Sequence, residues 1–137
     1  MIFALLLYFM PTNAATTANM QVNIHNITQS SGQLMVSVYN SAEDFMNIDR
    51  AVFKKNYPIS KTGTFAFSIP ALPEGAYAIS CFHDLNNNGI LDKNLLGIPS
   101  EPYGFSQNAR PKFRAPVWDE AKFWFSGQAV DIKIEKW

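Results

Sequence analysis

The chain has 137 residues, a length typical of one domain, and 47% of them are hydrophobic. Eleven basic and eleven acidic side chains cancel, which excludes a general nucleic-acid binder and a polybasic membrane anchor. Cys81 is the single cysteine, so the chain has no internal disulfide and its core has to stabilise itself.

The first 15 residues are typical of a secretory signal peptide. Residues 2–10 form a continuous apolar run, which is too short for a transmembrane helix of roughly 20 apolar residues. Pro11 ends the run, and Ala14 and Ala15 supply small residues for cleavage. No lysine or arginine precedes the run, and a buried N-terminal helix or strand is the alternative. We therefore predict a signal peptide over residues 1–15, a single domain over residues 16–137, and a secreted or periplasmic location.

Residues 21–27 and 33–39 alternate apolar and polar side chains with a period of two. A Ser-Ser-Gly sequence at residues 30–32 separates them, so the two runs predict an antiparallel hairpin with one buried face. The next segment is less regular. Ser41 and the acidic residues after it predict the start of a short helix, with apolar residues up to Val52 facing the core.

The second half of the chain contains further strand patterns. Residues 63–69 alternate clearly, and a turn segment rich in proline and glycine follows over residues 70–75. Residues 76–83 are apolar on both faces, which indicates a central strand. Residues 122–125 and 130–134 form a last pair of strands. Together these patterns predict an all-β fold, an antiparallel seven-stranded β-sandwich.

The connection that begins at Asp84 has little periodicity and carries the clearest chemistry. Side-chain oxygens fall on every second residue, at Asp84, Asn86 and Asn88, and then Gly89 and Asp92 follow. This matches the first nine positions of the calcium loop of an EF-hand. A cation of this size takes roughly six to eight oxygens, and alternate residues of a tight loop can all point inward.

The loop departs from an EF-hand in two ways. Its twelfth position is Leu95, and no amphipathic helices flank it. We expect Glu101 to complete the shell, with Asn94 as the second candidate. Oxygen ligands favour Ca²⁺ over transition metals, and an Asn-rich turn without a metal is the alternative. The predicted ligands are Asp84, Asn86, Asn88, Ile90 (through its backbone carbonyl), Asp92 and Glu101.

Aromatic residues downstream of the loop form a second candidate site. Tyr103 and Phe105 lie between proline and glycine residues, and three basic residues follow. Rings beside polar and cationic groups are typical of sugar sites and protein interfaces. Alternatively, the rings pin the long connection to the edge of the sandwich. Three basic residues are too few for a nucleic-acid site. The candidate ligand-binding surface comprises His83, Tyr103, Phe105 and Trp118.

No complete catalytic set is visible in the sequence. The chain contains no nucleophile elbow, no HExxH or CxxC motif and no phosphate-cradling glycine-rich loop. His83 has three interpretations: a metal ligand, a general base, or a strand-end residue hydrogen-bonded to the loop. A carboxylate pair formed by Asp84 and Glu101 also remains open.

Three motifs in order resemble a known family. They are LPxGxYA at residues 72–78, HDxNxNGxLD at residues 83–92 and GIPxExYGFS at residues 97–106. The set resembles the bacterial exported family known as domain of unknown function 2141. That resemblance implies a secreted or periplasmic domain with no assigned activity. The first motif is also similar to a turn of transthyretin-like sandwiches, which implies a prealbumin-type fold.

Three functions are compatible with these features. The one we expect is a non-enzymatic binding or interaction module with a calcium-ordered loop and a protein or glycan partner. The second is a metal-dependent hydrolase that uses the acidic loop and His83. The third is a carbohydrate-binding module that uses Tyr103, Phe105 and Trp118. The sequence does not determine the oligomeric state.

Overall fold

The computed structural model describes residue 10 and residues 16–137, and strands dominate it. The predicted signal peptide lies, except for Met10, outside the described residues. The strands are β1 (Thr17–Ile27), β2 (Gln33–Tyr39), β3 (Phe53–Pro58), β4 (Gly63–Pro73), β5 (Gly75–Asp84), β6 (Tyr103–Phe105), β7 (Phe123–Phe125) and β8 (Val130–Lys133). Two 3-10 turns at Ile48–Arg50 and Ser106–Asn108 and one helical turn, α1 (Trp118–Ala121), complete the described elements. In this part of the chain, no helix has the length and apolarity that a membrane span requires.

The strands form two sheets. The three-stranded sheet has the order β4-β1-β8, and the five-stranded sheet has the order β3-β2-β5-β6 with β7 also paired to β5. The prediction of a mostly β chain is confirmed, but the count of seven strands is wrong. Two strands, β3 and β6, match none of the patterns named in the sequence. β6 is three residues long, which is too short to produce a recognisable alternation.

One pairing also corrects the prediction of a purely antiparallel fold. β8 runs parallel to β1, with Val22 opposite Val130 and Ile24 opposite Ile132. A half-buried strand alternates inward and outward side chains whichever way its neighbour runs. The sequence pattern of β8 therefore indicated a strand without indicating its direction.

The two predicted strand pairs are wrong. β1 pairs with β4 and β8, whereas β2 pairs with β3 and β5, so these neighbours in sequence lie in different sheets. The turn at residues 30–32 carries the chain between the sheets. β7 and β8 are separated in the same way. Alternation predicts which face of a strand is buried, but it does not determine which strand pairs with it.

The buried faces of both sheets meet in one hydrophobic cluster. β1 contributes Val22 and Ile24, β2 contributes Val36, β5 contributes Ile79, and β8 contributes Ile132. Full burial of a side chain of this size stabilises the fold by about 1.5–3 kcal/mol. This cluster between the sheets is therefore the main source of stability of the domain.

The predicted helix after Ser41 does not form. The Asp44 amide donates to Ser41 Oγ at 3.2 Å, as at a helix start, but the chain continues as turns. Ile48 and Val52 are exposed and do not face the core. The local capping signal is present, but without a buried face it does not propagate into a helix.

The predicted turn over residues 70–75 is shorter than expected. β4 continues to Pro73, and Glu74 alone separates it from β5. β4 lies at the edge of its sheet, where a proline removes no hydrogen bond to a second neighbour. The prolines are therefore compatible with an edge strand at this position.

Candidate functional site

The candidate loop begins where β5 ends between its neighbours β2 and β6. Asp84 is the last residue of β5 and is 0% exposed. It lies opposite Gln33 of β2, whose Nε2 donates to Asp84 Oδ2 at 2.8 Å. The sheet, and not the loop itself, therefore fixes the position of the first predicted ligand.

Side-chain oxygens wind the segment after Asp84 into a tight turn. The two carboxylate oxygens of Asp84 accept the N–H groups of Asn88 at 3.2 Å and Gly89 at 2.8 Å. Asn86 Oδ1 accepts the Asn88 N–H at 3.4 Å, and Asn88 Oδ1 accepts the Ile90 N–H at 3.1 Å. Gly89 has φ +79°, which glycine adopts without strain. The spacing of every second residue thus arises from bonds between side chains and the local backbone.

Asp92 lies across the turn from the asparagines. Its two oxygens accept the side-chain amides of Asn86 and Asn88, each at 2.8 Å. The structure therefore brings four predicted ligand side chains into one hydrogen-bonded group. The fifth predicted ligand, Ile90, lies on the same turn with its side chain exposed.

Glu101 folds back onto the loop from the far end of the connection. Its oxygens accept the N–H groups of Leu85 at 2.6 Å and Asp92 at 2.9 Å, and the residue is 4% exposed. It thereby joins the first and last residues of the turn. Because both oxygens meet backbone amides, the role of Glu101 as a metal ligand stays a prediction.

Asn94, the second candidate for completing the shell, organises the turn that follows. Its Oδ1 accepts the N–H groups of Leu96 at 2.9 Å and Ile98 at 3.1 Å. The chain then reverses, and the Ser100 N–H reaches the Asp92 carbonyl at 2.8 Å. This return turn, residues 93–99, is what brings Glu101 to the loop.

The carboxylates of the loop have no cationic partner in the part of the chain that the structure describes. Among the described residues, no lysine, arginine or histidine forms an ion pair with Asp84, Asp92 or Glu101. In the same part of the chain, no group of three or more His, Cys, Asp or Glu side chains is placed to hold a metal ion. A metal at this loop would therefore depend on amide and backbone oxygens as well as on carboxylates.

His83 directly precedes the loop in sequence, but its side chain does not point towards the loop. Successive side chains of a strand point to opposite faces, so His83 and Asp84 diverge. The ring is fully buried, and Nε2 lies 2.6 Å from the Ser31 carbonyl, to which it donates. Nδ1 has no hydrogen-bond partner among the described residues. His83 therefore holds the turn between β1 and β2 against β5.

Two of the four residues of the predicted ligand-binding surface, His83 and Phe105, are buried, and the other two, Tyr103 and Trp118, are half-buried. Phe105 is buried in a small cluster with Ala78 and Ala121, and Trp118 packs against Phe45 with ring centroids 6.0 Å apart. Tyr103 is half-buried, and the Arg110 guanidinium lies 4.1 Å from its ring centroid. These rings pack the connection against the five-stranded sheet, but Tyr103 and Phe105 also line a cavity, so their role in ligand binding stays a prediction. His83 and Phe105 are not surface residues.

A family model described as an uncharacterized protein conserved in bacteria (DUF2141) matches residues 22–133. The chain belongs to this family. The match extends from β1 into β8 and includes the whole candidate loop, so the resemblance seen in the three motifs is confirmed. No curated protein and no solved structure matches the chain.

The sequence predicted only part of one further feature of this DUF2141 domain, a cavity that Tyr103 and Phe105 line together with residues that were missed. This cavity of about 450 Å³ lies beside the return turn and is closed on its other side by residues 113–115 and Trp137. A sequence signal existed, because Leu95 and Leu96 are consecutive apolar residues within a polar loop. Without the fold, nothing connected them with residues near the end of the chain.

Proposed function

We propose that this DUF2141 domain is an exported, non-enzymatic binding or interaction module whose long connection is held by Ca²⁺. The observation that carries the proposal is the burial of two carboxylates, Asp84 and Glu101, without an ion pair in the described part of the chain. Burying an ionised carboxylate costs several kcal/mol. Backbone amides offset part of that cost, and a divalent cation at the loop would offset more.

The ligands in this proposal are all oxygens, as Ca²⁺ prefers. Asp84 and Asp92 supply charge, and the Ile90 carbonyl and the two asparagines supply neutral oxygens. Asn86 and Asn88 donate their amide NH₂ groups to Asp92, and each Oδ1 accepts one local N–H group. An amide oxygen has two lone pairs, so each Oδ1 has a second one for a cation. Glu101 has a further lone pair on each oxygen, so it can close the base of the loop and contribute to the shell.

The hydrolase alternative has less support. A general base has to reach the substrate directly or through one water molecule. His83 is fully buried and bonded to a backbone carbonyl, and its side chain points away from Asp84. The carbohydrate alternative has little support at its predicted position, because Phe105 and Trp118 pack against other side chains.

Export and the prealbumin-like sandwich are parts of the same proposal. Two or three carboxylates with neutral oxygens suit the weak affinities of extracellular calcium modules, with Kd on the order of 10⁻⁴–10⁻³ M. The apolar run before Pro11 supports export. Fusion of residues 1–16 to a reporter that folds only outside the cytosol should give active reporter, and an inactive fusion would contradict export.

Calorimetry on the chelator-treated protein tests the calcium site. One site should saturate, and about 10 mM Ca²⁺ at a Kd of about 10⁻⁴ M should stabilise the fold by about 2.7 kcal/mol. Asp92→Asn should lose at least about tenfold in affinity, since it removes one ligand charge. Asp119→Asn is the matched control, because that carboxylate is highly exposed on α1. No heat and no rise in melting temperature would overturn the proposal.

A further inference from the structure

The cavity beside the return turn has the size and lining of a small-molecule site. Its volume of about 450 Å³ falls within the range of roughly 300–1,000 Å³ that is usual for ligand pockets. The side chains that matter for its chemistry are Met46, Leu96, Phe113, Trp137, Lys93 and Arg114.

Large apolar side chains are exposed together around this cavity. The exposed side chains are Met46, Leu96, Phe113 and Trp137, and Phe113 is 85% exposed. A cluster of this kind is typical of a binding surface, whereas single exposed apolar residues need no explanation. The four residues come from separated parts of the chain, so the fold assembles the cluster.

Phe113 also adopts an unfavourable backbone conformation. Its φ is +66°, a value that is an outlier for a bulky residue. Such strain persists only where the surroundings impose it, and it concentrates at functional sites. Here the ring lies on the cavity wall with its centroid 5.7 Å from that of Trp137. Burial of the ring does not offset the strain, because the ring is exposed.

The charged side chains on the lining are both basic. Glu120 holds the Arg114 guanidinium at 2.6 and 3.2 Å, which fixes its position and balances its charge. Lys93 forms no ion pair within the described residues. An apolar cavity with a free ammonium group at its wall is complementary to a molecule that combines an apolar body with one negative charge.

We propose that this cavity binds a small amphipathic molecule with an apolar or aromatic body and a single anionic group. The apolar rings contact the body, and Lys93 contacts the anion. The inference rests on the proposed function, because Lys93 and Leu96 belong to the return turn that directly follows the calcium loop.

Fluorescence of 8-anilinonaphthalene-1-sulfonate, an aromatic anion, provides the test. The probe should bind the folded full chain in Ca²⁺ with a saturable rise in emission. Decanoate should displace it at a concentration about fivefold lower than decanol does, since only the acid can pair with Lys93. An unchanged near-ultraviolet circular dichroism spectrum checks that the probe binds the native state.

Two variants and one matched control locate the site. Phe113→Gly removes the ring and suits a positive φ, so it should keep the fold and weaken probe binding at least about tenfold. Lys93→Ala should abolish the preference for decanoate over decanol. Trp124→Ala removes another exposed ring, outside this cavity, and should leave both ligands unaffected.

The outcomes separate this inference from the calcium site. The cavity proposal alone is overturned if Ca²⁺ binding releases heat but the probe does not bind. It is also overturned if the probe binds the Phe113→Gly variant as tightly as the unchanged protein. Probe binding that survives chelation, with no calcium heat, supports the cavity and overturns the proposed function. Sedimentation with phosphatidylglycerol vesicles should leave the protein in solution. Cosedimentation that Phe113→Gly abolishes would overturn the assignment of a small free ligand.

Discussion

The interior between the sheets and the loop from Asp84 to Glu101 are ordered by different interactions. Between the sheets, apolar side chains bury one another, and Ile24, Ile79 and Ile132 have no exposed surface. In the loop, carboxylate and amide oxygens accept backbone N–H groups, and the hydrophobic clusters of the described residues include none of residues 85–92. The stability of the interior depends on the volume of its side chains, whereas the stability of the loop depends on individual acceptor atoms.

This difference predicts how each region responds to change. A hydrophobic core tolerates substitutions that conserve volume, since many contacts share its free energy. A turn held by a few acceptors loses one or two hydrogen bonds with each oxygen removed. The bonds to Asp84 and Glu101 are part-buried, and a donor left unsatisfied there costs up to about 1–3 kcal/mol, whereas the local bonds of the asparagines are exposed. The loop should therefore be sensitive to chemistry where the core is sensitive to size.

The largest effect is expected from Ile24→Ala, and Ile90→Ala is the comparison. Ile24→Ala opens a cavity between the sheets and should lower the free energy of unfolding by about 4 kcal/mol. Ile90→Ala acts on an exposed side chain of the loop and should change it by less than about 0.5 kcal/mol. Urea denaturation of both variants measures the contrast. Equal losses would show that the loop has a hydrophobic core of its own.

The boundary between the two regions is sensitive at Gly32. It has φ +73°, and a Cβ there would lie 2.3 Å from the carbonyl oxygen of Asp84. Gly32→Ala should cost about 3 kcal/mol, from backbone strain and the displacement of the strand end. Gly127 has φ +104° in open space, so Gly127→Ala should cost only about 1 kcal/mol. Thermal unfolding that gives the two variants equal melting temperatures would contradict the close approach.

Glu101→Ala tests the dependence of the loop on single acceptors. The change leaves the N–H groups of Leu85 and Asp92 without their partner and should cost about 2 kcal/mol. Hydrogen exchange of these two amides should accelerate, while exchange in β1 follows only the global loss of stability. Glu43→Ala is the control, since that side chain is exposed. Unchanged exchange at Leu85 would mean that the loop is held in another way.

The effect that is smallest at neutral pH concerns Cys81, which lies three residues before Asp84 on β5. Burial raises the pKa of its thiol from 9.0 to about 12. Above pH 9 the unfolded chain therefore releases a proton that the folded chain keeps, so stability falls as pH rises towards 12. The loss should approach about 1.4 kcal/mol per pH unit relative to Cys81→Ala. If the free energy of unfolding changed equally with pH in the two proteins from pH 8 to pH 11, the raised pKa of Cys81 would be contradicted.

Some of the candidate site could be predicted from local chemistry. The positions of Asp84, Asn86, Asn88 and Asp92 follow from turn-forming side chains that bond to the backbone a few residues away. The return of Glu101 could also be predicted from the turn before it. The burial of His83 and Phe105 could not, because it depends on Ser31 and on α1, which are distant in sequence.

The sequence by itself determined the β class of this protein, its family, the buried faces of β1 and β8 and the oxygen spacing of the loop. These features depend on alternation and on contacts within a few residues. Only the tertiary structure decided the partner of each strand, the parallel pairing of β8 and the cavity beside the return turn. These features require contacts between segments far apart in the chain, and the free energy of such contacts depends on how all the strands pack together.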